Sequence, residues 1–310
     1  MKKYLPLKTI LLLSNFIFSL NVFCQTEFDA IMMNEKQFCS GFMYNHSSWE
    51  NYWEGTLKRN NLNLGTVTTQ SVMYMANYGI TSKLNIMAGV PYVFTNATAG
   101  TMSGMKGMQD VSVFVKWIPY QKTFGKTKLS LFAIGGFSTP ASNYVVDHLP
   151  LSIGLGTTNL ISRGMIDINH KRITLSASAS YIRRSNVKID RTAYYDGEMH
   201  YTNEVKMPDA TQFQMRTGYR GRYFIAEALL TNWTTLGGFD ITRNNMPFPS
   251  NKMNATMLGV NVKYTLPFYT NLAFLGGVNQ TLSGRNMGQT TSFNAGAFYA
   301  FYFGKNKPKN

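Results

Sequence analysis

The stretch from residue 78 to residue 91, Y-G-I-T-S-K-L-N-I-M-A-G-V-P, decides the fold of this chain. After a short polar turn, apolar and polar or small residues alternate: Leu84, Ile86, Ala88 and Val90 share one face, and Asn85, Met87 and Gly89 share the other. A period of two is typical of a β-strand with one apolar face. Together with the turn before it, the stretch predicts a β-hairpin.

Two further segments repeat this alternation. In G-M-Q-D-V-S-V-F-V-K-W, residues 107–117, three valines and a tryptophan alternate with Asp110, Ser112, Phe114 and Lys116. In residues 291–303 the apolar face carries Phe293, Ala295, Ala297, Tyr299, Phe301 and Phe303. Aromatic residues at the end of such a strand are typical of the girdles of membrane barrels.

The first residues predict an exported protein. Lysines precede a short apolar run that ends near Cys24, which is the pattern of a cleaved secretory signal. We place the cut between Cys24 and Gln25, so that residues 1–24 are the signal peptide and residues 25–310 the outer-membrane barrel. A retained anchor helix and lipidation of Cys24 are the alternatives. The cut leaves Cys39 as a single free thiol.

The composition argues against a soluble domain. Charged residues make up 15% of the chain and aromatic residues 14%, whereas charged residues are about a quarter of a typical soluble domain. No segment after the signal has the apolar length of a transmembrane helix. A membrane barrel fits both observations, because each of its strands turns only one face to lipid.

The formal charge is +15, and +12 once the three signal lysines are removed. The basic residues form no run outside the tail with Lys305, Lys307 and Lys309, so we predict no nucleic-acid partner. The expected partners are outer-membrane lipid and a small hydrophobic solute. The sequence predicts no cofactor, and it leaves the oligomeric state open.

The alternating segments predict about 12 strands, an even number as in bacterial single-chain barrels. They lie at residues 37–46, 66–78, 84–95, 109–118, 128–138, 150–162, 172–183, 210–220, 222–233, 253–265, 271–280 and 291–303. The connections alternate between short turns, such as 119–127 and 164–171, and long polar loops, such as 184–209. The sequence therefore predicts an all-β, transmembrane antiparallel β-barrel with short periplasmic turns and long outer loops.

Three motifs carry a family resemblance. They are Y-G-I-T-x-K-L-x-I-x-x-x-x-P-Y at residues 78–92, G-x-x-D-V-x-V-x-V-K-W at 107–117 and L-G-V-N-V-K-Y at 258–264. On these motifs the chain resembles an outer-membrane β-barrel family named for meta-pathway phenol degradation, which is itself loosely similar to long-chain fatty-acid outer-membrane transporters. The resemblance covers most of the chain after Thr66 and implies a channel for apolar or aromatic compounds.

With the apolar faces turned to lipid, Lys116, Arg216 and Lys263 face the lumen, and Glu227 is the lone acid expected beside them. These four are the pore-lining candidates, and their net positive charge favours anions. Pro91 lies inside a predicted strand and cannot donate to the ladder, which predicts a bulge. It is our candidate for a lateral opening from lumen to lipid. The alternative is a position at the membrane rim.

The predicted outer loops hold two further sets of candidates. Met102, Met105 and Met108 are spaced three apart and could ligate Cu(I). The alternative is an ordinary flexible loop in a methionine-rich protein, and we predict no metal site. Trp49 and Trp53 could capture a ligand or fold inward as a plug. The alternative for the tryptophans is an interfacial aromatic belt.

The predicted function is passive passage of small hydrophobic or aromatic molecules through the outer membrane of a Gram-negative bacterium. A non-conducting binding or adhesion barrel that acts through its outer loops is the alternative. A barrel hydrolase is a third hypothesis, because Asp147 and His148 lie in a predicted outer loop. No nucleophile accompanies them, so we predict no enzyme.

Overall fold

The computed structural model of the chain describes residues 25–241 and 246–303. The predicted signal peptide and the lysine tail lie outside the described residues. Within the described ranges, no helix has the length and apolar character needed to cross a membrane.

Twelve long antiparallel strands form one closed barrel. They are β1 (Gln37–Trp49), β2 (Val67–Thr81), β3 (Leu84–Ala97), β4 (Asp110–Phe124), β5 (Thr127–Pro140), β6 (Asn159–His170), β7 (Ile173–Arg184), β8 (Ala210–Arg220), β9 (Phe224–Thr235), β10 (Asn254–Thr265), β11 (Leu272–Arg285) and β12 (Thr291–Tyr302). Strands adjacent in sequence are adjacent in the sheet, and β12 pairs with β1. This last pairing closes the barrel, so none of these twelve strands has an open edge.

The alternation predicted from the sequence is confirmed in the wall. In β4, Val113 is 38% exposed on the outer face, whereas Lys116 is 0% exposed inside. In β12, Phe301 points outward and Phe298 is buried. Exposed apolar side chains on strands all round the barrel form a belt suited to lipid.

One predicted strand, residues 150–162, is wrong. The sixth strand is Asn159–His170, and residues 150–158 belong to the preceding outer loop. Leu151 and Ile153 alternate as strand residues do, but in the structure they are buried within that loop. The turn predicted at 164–171 is consequently strand.

The turn predicted at residues 119–127 is also too early. β4 continues to Phe124, with an irregular pairing between Trp117 and Tyr120 around Pro119. The actual connection is the two-residue turn 125–126, where Gly125 has a φ of 58°. A positive φ is readily adopted by glycine, which explains why the hairpin turns there.

The outer loops pack against one another above the barrel. Val146, Val187, Ile189, Tyr194, Val205, Met207 and Phe248 form an apolar cluster contributed by three loops. The first loop folds as a hairpin, Asn51–Glu54 paired with Leu57–Asn60. The backbone N–H of Trp53 in this hairpin donates to Met287 O at 2.9 Å, which ties the hairpin to the last loop.

The segment before β1 lies inside the barrel. We call residues 25–36 the plug. Met33, 1% exposed, packs with Met75 and Phe298 on one wall. Ala30 and Met32 pack against the cluster around Ile118 and Phe132 on another wall. The plug therefore crosses the lumen.

Cys39, just after the plug, is disulfide-bonded in the structure. The free thiol is expected only after the cut, so it stays a prediction together with that cut. The only other cysteine of the chain is Cys24, which lies outside the described residues. The cut between Cys24 and Gln25 stays a prediction.

Candidate functional site

Lys116 holds the middle of the plug. Its Nζ donates to the backbone oxygens of Thr26, Asp29 at 2.9 Å and Ile31 at 3.3 Å, and to Asp29 Oδ1 at 3.2 Å. The alternation of β4 aims this lysine inward, and its burial is complete. A fully buried ammonium needs such partners, because unpaired burial of a charge is very costly.

Arg163 holds the plug from the β6 wall. Its Nη1 donates to Glu27 O at 2.7 Å, and its guanidinium lies 4.2 Å from the centroid of the Phe28 ring. The same side chain donates to Ser180 Oγ at 2.6 Å and to Gln212 Oε1 at 3.3 Å. These wall bonds orient the guanidinium, so its contact with the plug is fixed in geometry.

A second group of buried charges lies within the wall itself. Arg216 Nη2 is 3.0 Å from Glu227 Oε2, and Arg220 Nε is 2.7 Å from Glu227 Oε1. Arg220 Nη1 also reaches Asp167 Oδ1 at 2.9 Å, and Thr174 Oγ1 donates to the same carboxylate oxygen. These two carboxylates are therefore satisfied by strand arginines, without help from the plug.

Among the described residues, the plug lines three cavities along the lumen. Residues 30–34 line an inner cavity of about 580 Å³ at the periplasmic end. Residues 26–29 line a central cavity of about 380 Å³. Glu27 and Phe28 line an outer cavity of about 320 Å³ under the loops. The plug separates spaces that would otherwise adjoin.

The structure places the pore-lining candidates Lys116, Arg216, Glu227 and Lys263 in the interior, each at most 5% exposed. Glu227 is not a lone inward acid, because Asp167 is buried beside it.

Sequence reasoning missed Arg163, Asp167 and the plug acid Asp29. Asp167 lies in the turn that was predicted wrongly at residues 164–171, and Arg163 lies directly before that turn. Their signal was present, since Ile166 and Ile168 alternate with Asp167 just before the real turn.

Pro91 lies at a break in the pairing of β3. Residues Leu84–Gly89 pair with β4, and from Tyr92 onward the partner is the short segment Lys106–Met108, in a register shifted by one. Pro91 O still accepts from Gln109 N at 3.0 Å. The amide and carbonyl of one strand residue point to the same neighbour, so the missing donor faces this break. The predicted irregularity is confirmed, and lateral opening stays a proposal.

The loop candidates have different surroundings. Met102 and Trp49 line a cavity of about 370 Å³ between the loops. Met105 N donates to Thr95 Oγ1, and Met108 pairs with the wall at Tyr92.

The three methionines thus differ in their neighbours. Among the described residues, the structure holds no cluster of three or more His, Cys, Asp or Glu that could ligate a metal. Trp53 is 7% exposed and packs over Gly284. It belongs to the loop packing and not to an interfacial belt, and the plug is formed by the segment before β1 instead.

Asp147 and His148 each contact a different outer loop. Asp147 pairs with Arg191 at 2.8 Å, and His148 Nε2 lies 2.9 Å from Ser103 O. Both contacts tie loops together.

Other polar contacts stiffen the same loops. A hydrogen bond from Arg285 lowers the pKa of Asp240 to about 2. Burial raises the pKa of Tyr144 above its usual range, and the Asp110 carboxylate, which accepts a hydrogen bond from the Tyr144 hydroxyl, raises it further.

No family model and no curated protein matches the chain. Its fold is similar to the crystal structure of the COG4313 outer membrane channel from Pseudomonas putida F1, with a TM-score of 0.71 and 12% identity over 89% of this chain and 100% of that chain. The KdgM porin gives a TM-score of 0.44 with 9% identity, over 84% of this chain and 99% of that chain. At these identities the likeness concerns the barrel fold. The resemblance to the phenol meta-pathway family stays a prediction.

Proposed function

We infer that this protein is an outer-membrane channel of a Gram-negative bacterium for the passive passage of small hydrophobic or aromatic molecules, and that the plug sets whether it is open. The observation that carries this proposal is the central cavity. Met43, Met73, Met75 and Leu275 line one part of it, and apolar Ile225 and Leu229 also line the opposite part beside the charged strand residues. A lumen with an apolar side offers an apolar solute a path that avoids bulk water.

The contacts that hold the plug support the proposal that it can leave the lumen. Its known bonds to Lys116 and Arg163 go mainly to backbone oxygens, and it adds no strand to the barrel. The barrel closes through β1 and β12, so withdrawal of the plug breaks no ladder pairing between them. Without the plug, the three lumen cavities lose the segment that divides them.

The test compares the full protein with a variant that lacks residues 27–33 in planar lipid bilayers. We expect low, brief currents from the full protein and a several-fold higher, steady conductance from the deletion. Lys116→Met, which loosens the plug without removing it, should give an intermediate conductance. Heat-modifiable gel mobility checks that each barrel has folded. A folded deletion variant with no conductance would exclude the channel.

A second candidate function is a non-conducting binding barrel that acts through its outer loops. The cavity between the loops favours it, because Trp49, Tyr52 and Met246 line a space of about 370 Å³ away from the lumen. This reading predicts that Trp49→Ala abolishes capture of a ligand by intact cells, while conductance is absent in both the full and the plug-free protein. Conductance in the plug-free protein favours the channel.

A further inference from the structure

The central cavity has two chemically different sides. One carries three methionines, Met43, Met73 and Met75, with the uncharged polar residues Ser292 and Asn294 beside them. The other carries Arg216 and Lys263, which are both 5% exposed. A cavity of this kind fits a small amphipathic molecule better than a purely apolar one, because a buried charge is stabilised by an opposite charge at close range.

Asp29 of the plug occupies the charged side. It lines the central cavity and at the same time bonds Lys116, which does not itself line that cavity. Lys263 lines the same central cavity as Asp29. One plug carboxylate therefore bonds one buried lysine of the wall and shares a cavity with a second.

The carboxylates of the wall cannot replace Asp29 in this role. Glu227 bridges Arg216 and Arg220, and Asp167 also bonds Arg220. Lys116 instead makes its ion pair with the plug. When the plug leaves, Lys116 loses this carboxylate while the two wall carboxylates keep their arginines. An anion from solution can then take the place of Asp29.

Two residues that line the same cavity each carry a buried oxygen acceptor without a hydrogen-bond partner. Gln214 is 8% exposed, and its Oε1 is buried without a donor. Asn261 Oδ1 is in the same situation. Both residues line the central cavity. Buried acceptors normally have a partner, so these oxygens suit a hydroxyl of a bound molecule.

We propose that the central cavity is a binding site for a small carboxylate with an apolar body and a hydroxyl group, and that Asp29 of the plug stands in for the carboxylate of that ligand. The ligand carboxylate takes the place of Asp29 at Lys116 and Lys263, and its body lies against Met43 and Met73. The proposal of this site rests on the proposed function, because the ligand of the site is the class of molecule that the channel would admit.

The test measures binding of 4-hydroxybenzoate and of uncharged 4-hydroxybenzyl alcohol by equilibrium dialysis against the purified barrel in detergent. Asp29→Asn removes the competing charge with little change of shape. The substitution removes the ion pair of Asp29 with which the ligand carboxylate competes. One charge-assisted contact is worth about tenfold in affinity, so we expect the variant to bind the acid about tenfold more tightly than the unmodified protein does. The alcohol should bind equally to both. A gain of affinity cannot result from misfolding.

Two lysine variants complete the test. Adding Lys116→Met or Lys263→Met to Asp29→Asn should reduce binding of the acid to the level of the alcohol. Lys122→Met, an exposed lysine on the same strand as Lys116, is the matched control and should leave the gain intact. The proposal is overturned if Asp29→Asn binds acid and alcohol equally, or if neither buried lysine matters.

The dialysis result is independent of conduction. Preference for the acid in a protein that never conducts would keep the site and reject the channel. Conductance without any preference for the acid would keep the channel and reject the site.

Discussion

Val113 and Ser112 are neighbours in β4 with opposite surroundings. Val113 is 38% exposed on the outer wall, and Ser112 donates to Gly89 O on the inner side. An arginine in lipid costs about 2–4 kcal/mol at the midplane and less toward the interface. We expect Val113→Arg to lower the free energy of unfolding in liposomes, measured by denaturant titration with tryptophan fluorescence. Ser112→Arg, at the same depth, is the control and should cost much less. Equal losses would contradict the facing assignment.

The alternation of outward and inward residues predicts the facing of a single residue well inside a strand. It fails where the strand itself was placed wrongly. Lys116 and Lys263 follow the period of two into the interior, because a closed sheet offers only two faces. Arg163 and Asp167 were not identified, since buried Leu151 and Ile153 mimic a strand in the loop before them. A loop that packs over a barrel mouth alternates between neighbours and solvent as a strand does. Sequence period alone cannot separate the two.

At the scale of elements, the strands were predictable and the plug was not. Hairpins form between segments adjacent in sequence, so turn signals and alternation suffice. The plug contacts Lys116 and Arg163, about ninety residues and more away, and mainly through its backbone oxygens. Every residue carries such an oxygen, so no residue type in segment 25–36 signals these bonds.

The break at Pro91 is a property of the β3–β4 pairing. We expect Pro91→Val to supply the missing backbone donor at this break and to close the wall there. A ladder hydrogen bond contributes about 1 kcal/mol, which corresponds to about fivefold less opening. Uptake of the hydrophobic dye N-phenylnaphthylamine by cells should fall by about this factor. Pro119→Val repairs the other proline irregularity, at the periplasmic half of β4, and should leave uptake unchanged. A folded Pro91→Val variant with normal uptake would make Pro91 a rim residue.

At the scale of the whole molecule, barrel, plug and loops form three successive barriers. The loops cover the outer end through their apolar cluster, and the plug divides the lumen below them. The wall alone is unbalanced in charge. Among the described residues its buried cations are Lys116, Arg163, Arg216 and Lys263, and its buried carboxylates are Asp167 and Glu227. The plug brings Glu27 and Asp29 against this excess.

Removal of the plug should therefore reveal a preference for anions, because fixed charge in a narrow pore concentrates ions of opposite sign. We expect the variant lacking residues 27–33 to show a reversal potential of anionic sign in a potassium chloride gradient. Adding Lys116→Glu and Lys263→Glu should move that potential toward the cationic side. The single substitution Lys122→Glu makes the same change of charge at an exposed residue. It should leave the reversal potential almost unaltered, because water and salt screen a charge there. Cation preference in the folded plug-free barrel would show that the buried lysines do not set the field of the pore.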